Sequence, residues 1–312
     1  MATSTFKNML KNTFKQPNLW GGIIPMQIFG LWALYKIFTG QAPDWWWVSV
    51  IFGYVCIMML GISACYHRLL SHRGFQVHPV VKRIMLWFAA IGGQGSPIFW
   101  SIVHRDFHHK YTDQDRDPHS PRDGFWHSYM LWMFKITEKD LGSRGCLDLM
   151  RDPDCQFVHK HYQTIFWVSH IVVALISFDL WLYLLAFPAF VTLHCFLAQT
   201  SITHLRWAGY RNYEVKDDSV NVPWLFPFVL GEAWHNNHHA YPGSAILGLY
   251  ENQPDPGWWV LNAMENLGLA WNIVLPGDLP DRKSLRPISI RARAGFGNKG
   301  PRACPVLGIL RR

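Results

Sequence analysis

Two long apolar stretches, each broken once by a short turn without lysine or arginine, restrict what this chain can become. The first runs from Leu19 to Phe38 and resumes over Val48 to Tyr66, after Thr39–Asp44 and the triplet Trp45-Trp46-Trp47. The second, Thr164 to Phe196, runs on to His204 and is too long for one pass, with a turn expected near Phe178-Asp179. A hydrocarbon layer about 30 Å thick takes about 20 helical residues to cross, and every backbone polar group inside it must be satisfied within the segment. The expected fold is an all-α membrane protein of four transmembrane helices in two hairpins, at about 19–38, 48–66, 164–178 and 181–203. The tryptophan triplet reads as an interfacial belt, and Lys36 lies near enough to a helix end to snorkel.

Charge gives these hairpins a direction. Of the 29 basic residues, 3 lie in 1–17, 13 in 66–162 and 12 in 205–312, leaving only Lys36. Cytoplasmic loops carry the excess of lysine and arginine, so both termini and the whole region between the hairpins are expected on the cytoplasmic side. Composition agrees with a membrane protein bearing substantial aqueous parts: half the residues are apolar and 16% are charged, against about 25% in soluble domains. The net charge of +8 is spread along the chain without a nucleic-acid motif, which points to anionic lipid or an acidic protein partner and away from nucleic acid.

Between the hairpins, Ile84 to Trp100 is apolar but broken by Gly92-Gly93-Gln94-Gly95 and Pro97, as expected for a buried or interfacial helix. Val260 to Ile273 reads as amphipathic, and residues 1–281 form one membrane domain without internal repeat. Arg282 to Arg312 holds nine basic residues with little periodicity and reads as a basic tail. The six cysteines form no Cys-x-x-Cys pair, which fits reduced thiols, and no signal-peptide pattern precedes the first apolar stretch.

Of sixteen histidines, eight fall within seventeen residues: His67-Arg-Leu-Leu-Ser-His72, His104-Arg-Asp-Phe-His108-His109 and His235-Asn-Asn-His238-His239. All three boxes lie on the side assigned to the cytoplasm. In the third box, i, i+3 and i+4 spacing on a helix puts three imidazoles on one face, within reach of one metal. Neutral imidazoles suit iron, zinc or copper rather than magnesium or calcium, and eight are too many for a single ion, so two metals are expected. Structural zinc would favour closely spaced cysteines. The carboxylate-rich scheme of soluble di-iron bundles needs two Glu-x-x-His pairs, and Glu232/His235 is the one present. In the second box His104 and His108 share an α-helical face, but His109 lies about 140° from His104, so one ring is out of place or the helix is distorted. Asp106, Asp113, Asp115, Asp117 and Glu232 are candidates to orient imidazoles, with solvation or capping as the plainer role. Arg68, Arg105 and Arg116 could bind phosphate or thioester groups of a substrate carrier, or face headgroups and water. Cys56, Leu60, Ser63 and Ala64 could line an acyl tunnel or simply pack between helices. His78, His127, His159, His161, His170 and His194 have no partner spacing.

The order His-x4-His, His-x3-His-His, His-x2-His-His resembles the integral-membrane fatty-acid desaturases, most closely their acyl-CoA and acyl-lipid delta-nine branch. The resemblance runs from about Gly61 to Pro242 and includes Asp115-Arg-Asp-Pro-His119 and Gly231-Glu-Ala-Trp-His235. It implies a di-iron centre with the eight box histidines as ligands. A further family motif, Asn-x3-His after the last span, corresponds to Thr200-Ser-Ile-Thr-His204 and makes His204 a ninth ligand. Two departures stand out: Thr200 replaces the family asparagine, and the second box has one residue more than the branch usually shows. His119, in Asp-Pro-His, could help shape the headgroup site, with a turn residue as the plainer role.

The implied activity is oxygen-dependent insertion of a cis double bond, delta-nine in position, into a long acyl chain on CoA or lipid. The chain carries no haem-binding His-Pro-Gly-Gly, no Gly-x-Gly-x-x-Gly and no ferredoxin cysteines, so electrons are expected from a separate ferredoxin or small cytochrome docking on the basic face. Three alternatives are a hydroxylase or alkane monooxygenase of the same histidine-rich superfamily, a haem protein with histidines inside its spans, and a membrane metal carrier with ionisable residues at mid-membrane depth.

Overall fold

A computed structural model of the protein describes residues 22–136 and 144–279. The N-terminal lysines, Leu19 at the start of the first apolar stretch, the basic tail 282–312 and both termini lie outside the described residues. Within them the chain is mostly helical, with one pair of two-residue strands.

Several helix starts follow directly from sequence. Proline occupies the first turn of the helices beginning at Pro79, Pro97, Pro153 and Pro256, where its missing N–H costs nothing. The residue before each proline accepts from a free backbone N–H: His78 from Val80, Ser96 from Phe99, Asp152 from Cys155 and Asp255 from Trp258. Helix α1, Ile24–Phe38, ends at Thr39, and the chain reverses through Gly40 at φ +68°. Helix α2, Trp46–Ser71, turns from α-helix to π-helix at Val55. Helix α3, Pro79–Ile91, stops at Gly92. It packs between α2 and α4, Pro153–Ile176, as expected for a buried helix broken by the glycine run. Helix α5, Phe178–Ile202, follows α4 after one extended residue, Ser177.

Two of these helices, α2 with 26 residues and α5 with 25, are long and apolar enough to cross a bilayer. Helix α1 has 15 residues, and α4 is kinked at His161 beside Lys160, so neither meets the same length and composition by itself. Ile28, Phe38, Phe52, Val168, Leu175 and Ile176 turn large apolar side chains outwards along α1, α2 and α4. That outward apolar surface and the two long helices suggest membrane association.

The two charges noticed separately inside the apolar stretches are partners. Lys36 Nζ lies 2.5 Å from Asp179 Oδ1, so Lys36 is paired across the helix ends instead of reaching out alone. The pair ties the end of α1 to the start of α5, and thus puts both short turns at one end of the helices. Close approach does the rest: a Cβ on Gly53 would lie 2.0 Å from the Leu184 carbonyl oxygen, and one on Gly61 2.6 Å from the Ala89 nitrogen. Helix α2 therefore presses directly on α5 and α3.

At the opposite end the polypeptide after α5 folds over the helix termini. Strand β1, Gln76–Val77, pairs antiparallel with β2, Ala270–Trp271, while Val274 N–H donates to Gly74 O and Ala245 N–H to Val274 O. The amphipathic stretch expected at 260–273 is divided between helix α7, Pro256–Asn266, and β2. Helix α6, His235–Ala240, lies under this cover and is wholly buried.

Candidate metal centre

The nine singled-out histidines come together, but in a different grouping from one metal per helical face. His67, His72, His104, His109 and His238 form one cluster; His108, His204, His235 and His239 form another. Within each cluster the available ligand atoms all lie within 4.8 Å of one another. The third box is therefore split: its i, i+4 pair serves one cluster and the middle His238 the other. This corrects the expectation that all three share one metal.

The five-histidine cluster explains the local helix geometry. It contains two i, i+5 pairs, His67/His72 and His104/His109, which an α-helix would hold about 140° apart. Both boxes instead lie on π-helical turns, Val55–Ser71 and Ile102–His108, whose i→i+5 bonds bring such residues onto one face. The backbone N–H of His72 donates to His67 O, and that of His109 to His104 O, so each π bond joins the two residues of a pair. The extra residue of the second box is thus accommodated by helix distortion, and no ring is left over. His108, one position earlier, points to the other cluster.

Ring-nitrogen contacts argue for a cation. His67–His238, His238–His109, His109–His104 and His104–His72 have Nε2 separations of 3.0, 2.9, 3.1 and 2.9 Å. Each neutral ring nitrogen carries one hydrogen or one lone pair, so five nitrogens can satisfy at most two of these four contacts by hydrogen bonding. In the second cluster His204 and His239 each lie 3.0 Å from His235 Nε2, and the buried Nε2 of His108 has no hydrogen-bond partner. Metal–nitrogen bonds of about 2.1 Å meeting at right angles separate their nitrogens by about 3.0 Å, while a tetrahedral site needs about 3.4 Å. The residues fit two ions, with nitrogen separations nearer the right-angle value than the tetrahedral one. Burial, then the neighbouring imidazoles, hold His72, His104, His109, His235 and His238 well below the ordinary histidine range, in the neutral ligand form.

Carboxylates back the rings unequally. His108 Nδ1 faces Asp117 Oδ2 at 3.1 Å, His204 Nδ1 faces Asp113 Oδ2 at 3.0 Å, and His239 Nδ1 faces Asp217 Oδ2 at 3.1 Å. The Gln199 amide lies 2.9 Å from His235 Nδ1. Burial alone would raise Asp113, but His204 and the Asp218 N–H hold it down to about 2. In the other cluster, among the described residues, only His67 has a carboxylate, Glu232 Oε2 at 2.8 Å, close but off the line of a ring N–H bond. Burial would raise Glu232 too, yet His67, Arg68 and Ser63 bring it to about 2. Glu232 thus serves the first box, not His235 three residues on.

Arg68 is turned inward and is 1% exposed. Its Nη1 donates to Asp255 Oδ2 at 3.0 Å and Ala245 O at 2.9 Å, and its Nη2 to Asp255 Oδ1 at 2.9 Å and Glu232 Oε1 at 3.4 Å. Gly257 makes room, since a Cβ there would lie 2.7 Å from Nη2. All four Nη hydrogens are taken by the protein, and the remaining Nε–H is buried without a hydrogen-bond partner among the described residues, so burial leaves the guanidinium no face for a substrate phosphate. Arg105 likewise joins Asp148 to the Ser71 and Gly145 carbonyls. Arg116 is exposed, lies over the Tyr111 ring, and helps line a cavity of about 540 Å³ with Gln114, Asp115 and Arg122. Of the three arginines it alone remains open to a ligand.

Other residues take plainer positions. Asp106 accepts from Gly145 N–H, and Asp115 is exposed on the cavity. The Thr200 hydroxyl donates back to Phe196 O in the preceding turn of its own helix. Ser63 donates to Glu232, while Cys56 and Ala64 are buried in helix packing. His119 stacks near His108 and shares Asp117 with it. His78, His127, His159, His170 and His194 each have an ordinary hydrogen-bond partner. Asp217, Gln199 and Asp255 carry no spacing signal in the sequence. Neither do the roles of Asn236 and Asn237, although the pair is visible inside the third box. Asn237 Oδ1 accepts from Asn212 and Asn221, and its Nδ2 donates to Leu247 O and Gln253. Asn236 Oδ1 accepts from the backbone of Asn212 and Tyr213. These two side chains fix α6 from the face opposite its histidines.

Paired imidazole clusters at the end of long apolar helices define a histidine-rich helical protein with two groups of residues that could hold metal. Residues 44–249 match the fatty acid desaturase family, and the chain belongs to it. It is 36% identical over 237 residues to delta-9 acyl-lipid desaturase 1 of Arabidopsis thaliana, covering 72% of this chain and 74% of that protein. Delta-9 desaturase-like 5 protein of the same plant is 34% identical over 252 residues, 76% of this chain and 80% of its own length. A chloroplastic palmitoyl-monogalactosyldiacylglycerol delta-7 desaturase is 33% identical over 268 residues, 82% of this chain and 68% of its own.

Proposed function

We propose that the protein inserts a cis double bond, at the delta-nine position, into a long fatty acyl chain carried on a membrane lipid. The observation that carries this reading is the convergence of nine buried imidazoles into two adjacent clusters at one end of the apolar helices. His67, His72, His104, His109 and His238 would hold one iron, and His108, His204, His235 and His239 the other. Bound iron would supply the redox chemistry that dioxygen reduction and C–H removal require. The reaction balances as an acyl –CH2–CH2– unit, O2, two protons and two electrons giving –CH=CH– and two water molecules. The electrons come from a separate ferredoxin or small cytochrome.

The chain's own residues contribute position and dryness. Asp113, Asp117, Asp217 and Glu232 orient rings through Nδ1, and the cover from 205 to 279 excludes water from the clusters. An acyl-lipid carrier is favoured over CoA by the commitment of Arg68 and Arg105 to internal carboxylates, and by the acyl-lipid substrate in the name of the related delta-9 acyl-lipid desaturase 1. Arg116 is the residue placed to meet the carrier's headgroup.

The same reading includes residues 1–281 as one membrane domain with four spans in two hairpins, the clusters and both termini cytoplasmic. Its support is the Lys36–Asp179 pair, which joins the two lysine-free turns at the end opposite the histidines. The test is expression in a host lacking desaturases, with fatty acids analysed by gas chromatography–mass spectrometry. New delta-nine monoenes that vanish in His235→Ala are expected. A hydroxylated product would replace this reading with a hydroxylase, and a carrier dependence on CoA would overturn the lipid substrate.

A further inference from the structure

We propose that the two centres hold metal unequally, the four-histidine centre being the tighter, and that Asp217 is a positioning residue that makes it so. The inference rests on the two-iron reading above and concerns the carboxylates behind the rings.

Three of the four rings in the tighter centre are backed at Nδ1 by a carboxylate, Asp117, Asp113 or Asp217. In the five-histidine centre, among the described residues, only His67 is backed. Its Glu232 shares Arg68 with Asp255, so the group Glu232, Asp255 and Arg68 carries one net negative charge against three in the other centre. Among the described residues no carboxylate lies within ion-pair range of a ring nitrogen of His72, His104, His109 or His238. Among the described residues the buried Nδ1 of His238 has no hydrogen-bond partner. A carboxylate on the far nitrogen fixes the tautomer, locks the ring's rotation and makes the near nitrogen a stronger donor. Its charge also offsets that of the cation in a site where little water screens it. One additional neutral ring does not replace three such charges.

Asp217 is the new member of this set. It belongs to the segment Asp217-Asp218-Ser219, which no spacing connects to the histidine boxes. The segment is held rigidly: Ser219 N–H donates to Asp217 Oδ1 at 3.0 Å, and Asp218 is gripped by Arg122 at 2.7 Å and Arg206 at 2.5 Å. Asp218 N–H also donates to Asp113 Oδ2, so two of the three backing carboxylates are joined through one loop. Asp217 Oδ2 is thereby delivered to His239, the last residue of the third box.

The test uses purified full-length protein loaded with iron(II) and equilibrated without oxygen against a graded iron chelator, with iron counted per chain. Wild type should lose one ion, then the other. His109→Ala should keep one ion at the tighter midpoint, and His204→Ala one ion at the weaker. Asp217→Asn should weaken the tighter midpoint by about 10–100-fold, leaving the other in place. Asp217→Glu should recover part of the loss, which a merely structural role would not predict. Two ions with equal midpoints, an unshifted Asp217→Asn, or a tighter ion lost in His109→Ala would each overturn the inference while leaving the two-iron reading intact. A wild type that never holds two ions would sink that reading instead, and the inference with it.

Discussion

Arg68→Ala separates two roles that its place beside His67 leaves open. In the structure the guanidinium is fully buried and donates to Asp255, Glu232 and the Ala245 carbonyl. Removing it leaves two carboxylates in the protein interior with their main counter-charge gone. Breaking a buried pair from one side costs about 3–5 kcal/mol, because the surviving charge is neither paired nor hydrated. At about 2–4 °C per kcal/mol for a chain of this order of size, the melting temperature falls by about 10 °C. Arg68→Lys keeps the charge but not the two-pronged geometry on Asp255, so it should lie between the two. The assay is thermal unfolding of the purified protein in detergent, followed by loss of the monodisperse peak, alongside iron content. Glu232 also loses its clamp, so iron at the five-histidine centre should fall with stability. A variant that melts like wild type and differs only in a raised KM would refute this reasoning and return Arg68 to the substrate.

Three further outcomes follow from the same packing. Asn237→Ala removes four side-chain hydrogen bonds from one buried residue and should cost about 3 kcal/mol or more, with iron lost from both centres because α6 carries rings of each; unchanged melting and iron content would count against it. Gly53→Ala places a methyl 2.0 Å from the Leu184 carbonyl and should lower stability by about 1–3 kcal/mol through separation of α2 and α5, read by the same melting assay. The Lys36–Asp179 pair, with Asp179 41% exposed, should show a coupling below about 1 kcal/mol in a double-mutant cycle.

The parts legible in the sequence are those governed by local pattern. Pro79, Pro97, Pro153 and Pro256 mark helix starts because proline is free of cost only there, and the histidine boxes announce a metal because nothing else crowds imidazoles so closely. The assignment of rings to ions was not legible, since it depends on helix type. Read as α-helix, the third box shares one face and the second has a ring too many. Two π-helical segments in the first and second boxes change the angular step and place the extra ring, while the third box stays α-helical and is divided between the clusters by which partner rings reach it. Long-range pairs were equally hidden. Lys36 and Asp179 each looked like an isolated charge in an apolar run, and Arg68 looked free because Asp255 lies 187 residues further along. Asp217 gave no signal, because the ring it backs comes 22 residues later with no repeating interval.

The central claim is that nine histidines hold two iron ions that serve acyl desaturation. Its most direct measurement is metal analysis of purified protein, by mass spectrometry, on preparations whose desaturase activity is measured in parallel. The account predicts two irons per chain at full activity, and proportionate loss of activity as iron is removed. Full activity with zinc as the metal present, or with one ion per chain, would contradict it.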